Sequence, residues 1–215
     1  MKELKENVRI IVADDHGIVR MGLLQTVKRL LPDAIITEVE DFKSLYKVIS
    51  KEELDLAIMD VNMPNGTVQE AIDYIRNHQP KLKILIFSSQ DEELYALRYL
   101  KMGAGGYLSK QSSSSVIETA LTSMLTTGRY ASEAVKEAMF FESVSGNTKT
   151  SPVEILSDRE LQIANKLAEG LPLKEISNQL NLHSSTISTY KNRLFEKLKI
   201  KSIPELVEIL RLYNQ

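Results

Sequence analysis

Short apolar runs alternate with helically spaced apolar positions through the first 127 residues. Residues 8–13, Val-Arg-Ile-Ile-Val-Ala, form a β-rich run that stops at Asp14 and Asp15. From 17 to 31, Ile18, Met21, Leu24, Val27, Leu30 and Leu31 recur at helical spacing, and Pro32 ends the pattern. Residues 35–39 predict a strand and 42–49 a helix, with Asp41 as its N-cap. Residues 54–60 predict a buried strand ending on Asp60, followed by a helix over 68–77. Residues 83–88 predict a strand ending on Ser88, and 92–101 a helix that Gly103 is placed to stop. A short strand over 106–109 delivers Lys110, and a last helix covers 116–127, with the serine run 112–115 expected to cap it. Five strand–helix units with near-continuous apolar strands predict a parallel sheet covered on both faces. The fold class is therefore α/β, an open doubly wound five-stranded sheet with its ligands at the carboxyl ends of the strands.

The pattern changes after residue 128. Residues 131–141 read as a helical extension, and 142–152 as a polar, flexible linker. Beyond it the period is helical throughout. Ser157 and Glu160 form a capping box ahead of Leu161, Ala164, Leu167 and Ala168, and Gly170 closes that helix. A second short helix covers 174–180, and Asn181-Leu182-His183 makes a tight turn. A third helix opens at Ser184 or Ser185 and runs to about Lys199; Ser202 caps a fourth, with Pro204 in its first turn. Two helices around a three-residue turn predict a small all-α helix-turn-helix domain. The expected division is 1–128, a linker over 129–152, and 153–215.

Composition agrees with two domains, since 215 residues exceed one ordinary domain of roughly 100–200. The chain has no cysteine, which excludes a disulfide-stapled fold, a thiolate metal site and a cysteine nucleophile. His16, His78 and His183 are too scattered in sequence for a zinc site. The N-terminus meets an acidic pair after a short apolar run, and no apolar stretch approaches the ~18 residues of a membrane span. A soluble, cytoplasmic protein with no membrane partner is expected. The net charge of −2, from 27 Lys+Arg and 29 Asp+Glu, hides an asymmetry. Residues 186–201 hold Lys191, Arg193, Lys197, Lys199 and Lys201 against Glu196 alone, a local +4.

Four of the five strands end in a reactive side chain: Asp14 and Asp15, Asp60, Ser88 and Lys110. In a parallel sheet these ends converge. Clustered carboxylates repel, and their hard oxygens suit a divalent cation such as Mg²⁺. Asp60 on the central strand is a candidate nucleophile that would become an aspartyl phosphate, with Lys110 and Ser88 pairing to phosphoryl oxygens. Each feature alone has a structural explanation as a cap, a solvated turn or a surface lysine; together they do not. Residues 8–127 resemble the receiver domain of two-component response regulators. The match rests on Asp14-Asp15, on Asp60-Val61-Asn62-Met63-Pro64, on Ser88 and on Tyr107-Leu108-Ser109-Lys110. The resemblance implies that Asp60 takes a phosphoryl group from a sensor histidine kinase. It implies that Asp14, Asp15, Asp60 and the backbone carbonyl of Asn62 hold Mg²⁺, and that Ser88 and Tyr107 act as the switch. Two positions depart from the family pattern: a short Asn65-Gly66 turn, and Gln111 where many members carry proline.

At about 100° per residue, Ile187, Tyr190, Leu194 and Leu198 share one face of the third helix. Ser185, Thr189, Asn192 and Arg193 fall opposite, suited to a major groove, with Ser188 and Lys191 on one flank and Lys197 on the other, placed for phosphates. Residues 153–215 resemble the LuxR-type helix-turn-helix, through Leu156-Ser157-Asp158-Arg159-Glu160, Ala168-Glu169-Gly170, Lys174-Glu175-Ile176 and the stretch from Ser185 to Leu194. The resemblance implies double-stranded DNA as partner, with Lys174, Ser185, Thr186, Ser188, Thr189, Lys191, Asn192 and Arg193 at the contact. In the fourth helix Ile203, Leu206, Val207 and Leu210 are expected to face the domain, while Ile209 and Leu212 point elsewhere and imply a homodimer contact. The whole chain thus resembles a NarL/FixJ-type response regulator, a transcription regulator and not an enzyme. A haloacid-dehalogenase-type phosphohydrolase would want a second Asp where Asn62 stands and a cap domain that is missing. A vestigial, phosphorylation-independent receiver is opposed by the intact Asp14, Asp15, Asp60, Ser88 and Lys110.

Overall fold

The computed structural model describes residues 7–90, 92–145 and 152–213. The chain divides into two compact units, Met1–Gly146 and Asn147–Gln215. In the first, β1 (Arg9–Ala13), α1 (Gly17–Leu30), β2 (Ile35–Val39), α2 (Phe42–Ile49), β3 (Leu56–Met59), α3 (Val68–His78), β4 (Lys83–Ser88), α4 (Glu92–Lys101), β5 (Gly106–Ser109) and α5 (Ser114–Thr127) alternate as expected. The sheet is parallel in the order β2-β1-β3-β4-β5. β1 therefore pairs with β2 on one side and β3 on the other. The loops after β1 and β3 leave the sheet where the winding reverses, and a crevice opens at their carboxyl ends.

The core explains why these residues make strands. Ile10, Val12, Leu56, Ile58, Leu85, Phe87 and Leu108 pack with Leu23 and Val27 of α1 and with Leu121 and Met124 of α5. Each such side chain contributes about 1.5–3 kcal/mol on burial. All four residues of β3 are buried. β2 departs from the expectation of full cover: as an edge strand it leaves Ile35 exposed.

Local chemistry sets the loops. Asp41 caps α2 by accepting the Ser44 N–H (2.6 Å), and Asn65 Nδ2 donates to the other Asp41 oxygen (2.9 Å). The short Asn65-Gly66 turn is thereby tied to α2. A Cβ on Gly66 would lie 2.8 Å from Phe42 Cβ, so only glycine lets the two segments approach. The serine run does not cap α5 as expected. Ser113 holds the N-cap position, but its hydroxyl pairs with that of Ser115 (3.0 Å) and not with a backbone N–H of the first turn. No peptide bond is cis among the described residues, Lys110–Gln111 included.

The largest difference concerns residues 129–145, read from sequence as part of a linker. Gly128 ends α5 in the left-handed region. Tyr130 then bridges to Gly106 beside β5, and its N–H donates to Gly105 O (3.0 Å). The following helix α6 (Glu133–Ser145) is longer than the expected 131–141 and packs on α4, burying Val135. It belongs to the first unit. The expected flexible stretch over 146–151 lies outside the described residues.

In the second unit a 3-10 turn (Pro152–Ile155) leads into α7 (Asp158–Ala168), α8 (Leu173–Gln179), α9 (Ser184–Leu198) and α10 (Ile203–Tyr213). The Ser157/Glu160 capping box forms as expected. Asn181 turns the chain between α8 and α9 at φ 50°, a conformation asparagine tolerates. Leu161, Ala164, Leu167, Ile176, Ile187, Leu194, Leu198, Leu206 and Leu210 make the core. Two expectations for α10 fail. Ile203 is exposed, because it is the first residue of the helix and overhangs the domain edge; Val207 and Ile209 are both half-buried. The Leu212 side chain, the other half of the expected dimer contact, lies outside the described residues.

Candidate functional site

β1 and β3 are neighbours, so their ends bring Asp14 and Asp60 together although 46 residues separate them. Asp60 N–H donates to Ala13 O (2.8 Å) and Asp14 N–H to Val39 O (3.1 Å), which fixes both backbones. Both side chains are buried, while Asp15 is exposed at the rim. β5 delivers Lys110 beside them. Its Nζ hydrogen-bonds Asp60 Oδ2 (2.9 Å) and lies 2.7 Å from Asp14 Oδ2, an ion pair without hydrogen-bond alignment. Asp60 Oδ1 accepts the Val61 N–H (2.7 Å). Burial pushes the Asp60 carboxyl above the ordinary carboxylate range; Lys110 opposes that rise and Asp14 adds to it.

One ligand atom each from Asp14, Asp15, His16 and Asp60 lies within 4.8 Å of the others. Asp14 Oδ2 is buried and accepts no hydrogen bond. A cluster of hard carboxylate oxygens, one of them buried and ion-paired but not hydrogen-bonded, fits a divalent cation. Asn62 is exposed two residues beyond Asp60. Ser88 is fully buried at the end of β4, its carbonyl accepting the Lys110 N–H (2.8 Å) and its hydroxyl the Gln90 N–H (3.1 Å). Tyr107 is buried too, and its hydroxyl donates to Gln90 O (2.7 Å).

Sequence reading missed three residues around this pocket. His16, far in sequence from the other two histidines, has Nδ1 2.7 Å from Asp15 Oδ1 and 3.4 Å from Asp14 Oδ1. Arg20 donates to Asp14 O (2.7 Å) and pairs with Glu38 and Glu40, bracing the β1 end. Gln90 joins Ser88 to Tyr107. The spacing of Arg20 from Asp14, one helical turn into α1, is the signal that could have found it.

On the second unit, Ser185, Thr189, Asn192 and Arg193 form an exposed stripe along α9, with Lys174 exposed on α8. Thr186, Ser188 and Lys191 are half-buried at its border. The Ser188 and Thr189 hydroxyls donate to the Ser184 and Ser185 carbonyls (both 3.0 Å), and Lys191 Nζ sits 5.4 Å from the Phe195 ring centre. Lys197 is corrected: it does not flank the stripe as a free phosphate ligand. Its Nζ reaches 2.6 Å from Glu160 Oε2, the carboxylate of the capping box. Burial alone would push Glu160 up, but hydrogen bonds from Lys197 and Ser157 outweigh it and hold the carboxyl below its usual range.

A 2-1-3-4-5 sheet whose crevice gathers acids around a central-strand aspartate, carried on one chain with a helix-turn-helix, defines a two-domain signalling regulator. The chain belongs to the response regulators of the NarL/FixJ type: residues 10–122 match the response regulator receiver domain, and residues 154–210 match the bacterial regulatory proteins of the luxR family. Among curated proteins it is 30% identical to the Fimbriae Z protein of Escherichia coli K12 over 205 residues, covering 95% of this chain and 97% of that one. It is 29% identical to response regulator GacA of Pseudomonas aeruginosa over 199 residues, 93% of each. Among solved structures it resembles RcsB of Salmonella typhimurium, with a TM-score of 0.61 at 25% identity, over 97% of this chain and 98% of that one. A structure of two RcsB dimers bound to two parallel DNAs matches with a TM-score of 0.58 at 26% identity, over 96% and 98%. No helix among the described residues is long and apolar enough to cross a membrane.

Proposed function

We propose that the chain is a transcription regulator whose DNA binding is controlled by phosphorylation of Asp60. The observation that carries this reading is Lys110 Nζ reaching both Asp60 and Asp14 inside one pocket at the sheet's reversal point. A cation already stands beside the nucleophile, where phosphoryl oxygens would need one. Asp60 would attack the phosphorus of a phosphohistidine on a sensor histidine kinase. The O–P bond forms, the P–N bond breaks, and the imidazole leaves with a proton from solvent. Asp14, Asp15, Asp60 and the Asn62 carbonyl would hold Mg²⁺, which when bound neutralises phosphoryl charge. Lys110 would move from carboxylate to phosphoryl oxygen, and the Ser88 hydroxyl would donate to another. The chain would turn over only its own aspartyl phosphate, as an acceptor and not an enzyme acting on others.

A kinase partner is supported by the surface beside the pocket. α1 starts directly after the acids and leaves Ile18 89% and Met21 61% exposed, an apolar rim that a docking kinase domain could cover. DNA as partner is supported by the exposed stripe of α9 and by the solved RcsB–DNA complexes. Those complexes, with RcsB as a dimer, also support a homodimer that reads two half-sites. A DNA-binding regulator would work in the cytoplasm.

The test is incubation with Mg²⁺ and acetyl phosphate. A phosphoryl adduct on the intact mass, lost in Asp60→Asn, is the expected result. Catalytic hydrolysis of phosphate esters would favour a phosphohydrolase, and no adduct a vestigial pocket. Selection of bound duplexes from a random pool tests the output; no enrichment, with or without phosphorylation, overturns the DNA-binding reading.

A further inference from the structure

Gln90 lies just beyond Ser88 and does more than close the loop. Its N–H donates to the Ser88 hydroxyl (3.1 Å), its carbonyl accepts the Tyr107 hydroxyl (2.7 Å), and its side-chain Oε1 accepts the Tyr99 hydroxyl (2.8 Å). Gln90 is only 8% exposed, and its Nε2 is buried with no hydrogen-bond partner. A buried, partly satisfied amide is costly to keep unless its other bonds hold it there. Tyr99 comes from α4 and Tyr107 from β5; both are fully buried, with ring centres 5.9 Å apart and planes within 10°. One residue thus bonds the candidate switch hydroxyl, the adjacent strand and the next helix.

α4 in turn packs against α6. Leu97 and Leu100 of α4 share a groove with Met139 and Ser143 of α6. The start of that segment is seated on β5 at two glycines: a Cβ on Gly105 would collide with the Gly128 carbonyl, and one on Gly106 would lie 2.9 Å from Tyr130 O. α6 therefore rests on α4, and the segment leading into it rests on β5, the two elements that Gln90 ties to Ser88.

We propose that Gln90 is the positioning residue that carries the state of the phosphorylation pocket to α4, and through α4 to α6. The proposal rests on Asp60 being the phosphoryl acceptor. When Ser88 turns its hydroxyl toward a phosphoryl group, the Gln90 N–H loses its acceptor, and the residue moves with both tyrosine bonds attached. α4 then shifts under α6.

The test follows hydrogen exchange of the full chain before and after loading with acetyl phosphate and Mg²⁺, with intact mass reporting the adduct. In the wild type, loading changes exchange across 92–101 and 133–145. Tyr99→Phe removes one hydroxyl and keeps the ring; it loads Asp60 normally, and the change across 133–145 is lost. Gln90→Leu gives the same loss, and the double variant is no worse than either alone. A wild-type-sized response in Tyr99→Phe overturns the proposal, even if Gln90→Leu fails to fold. So does a loaded wild type with no change in α6. A wild type that takes no adduct overturns the acceptor reading instead, and this proposal with it.

Discussion

Asp60 sits in the molecule at a cost that the proposed acceptor role explains. Its raised pKa means that the folded state binds the proton more tightly than the unfolded chain. Stability from this group is therefore present at low pH and is lost as pH rises from about 3.9, the ordinary value, through the folded pKa. In chelator, Asp60→Asn should be more stable than the wild type at neutral pH, and the gain should shrink as pH falls into that window; urea melts at stepped pH measure it. Mg²⁺ should raise the wild-type melting temperature in proportion to its binding. Asp14→Asn removes one carboxylate of the cluster and its ion pair with Lys110, so that response should disappear. Asp14, Asp60 and Lys110 were legible in sequence because each ends an apolar run. His16, Arg20 and Gln90 were not, because a polar residue in a loop carries no period; only the folded sheet end brings them to the acids.

At the scale of elements, α9 shows how two basic residues on one helix come to different roles. Lys197 is held on Glu160 of α7, whereas Arg193 is exposed. Each phosphate contact contributes about 0.9 to the slope of log affinity against log salt. Arg193→Ala should flatten that slope by roughly this amount if it touches a phosphate, or relax base preference if it touches a base. Lys197→Met should leave the slope alone and instead destabilise the second unit by about 1–2 kcal/mol, since Glu160 loses its charged partner and keeps only its Ser157 bonds. Glu160 carries the opposite pH sign to Asp60. Its depressed pKa gives stability that is present above about 4.3 and lost as pH falls through the folded value, and Glu160→Gln should flatten that acid limb. Every helix of this unit was visible from its period and caps. Helical angles alone placed Lys197 and Ile203 wrongly, because they give the direction of a side chain and not the neighbour it meets. The carboxylate of the preceding capping box and the start of α10 decided those two.

For the whole molecule, the two compact units and their family were legible because each carries its own period and its own motif. The place where the first unit ends was not. Residues 131–141 read as a helical extension of a linker and 142–152 as a polar tether, yet Tyr130 and Val135 fix the start of this stretch to β5 and α4. If phosphorylation brings two copies together on DNA, half-sites should fall about 34–36 Å apart, and inserting half a helical turn between them should abolish tight binding in a gel-shift assay. The bridge at Tyr130 has one more consequence. β5 closes the sheet on one side, and a bare outer strand is a template for pairing with other chains. A fragment cut after residue 128 should therefore self-associate and scatter light on concentration. One cut after residue 145 should scatter less, because Tyr130 and the helix behind it cover the start of β5.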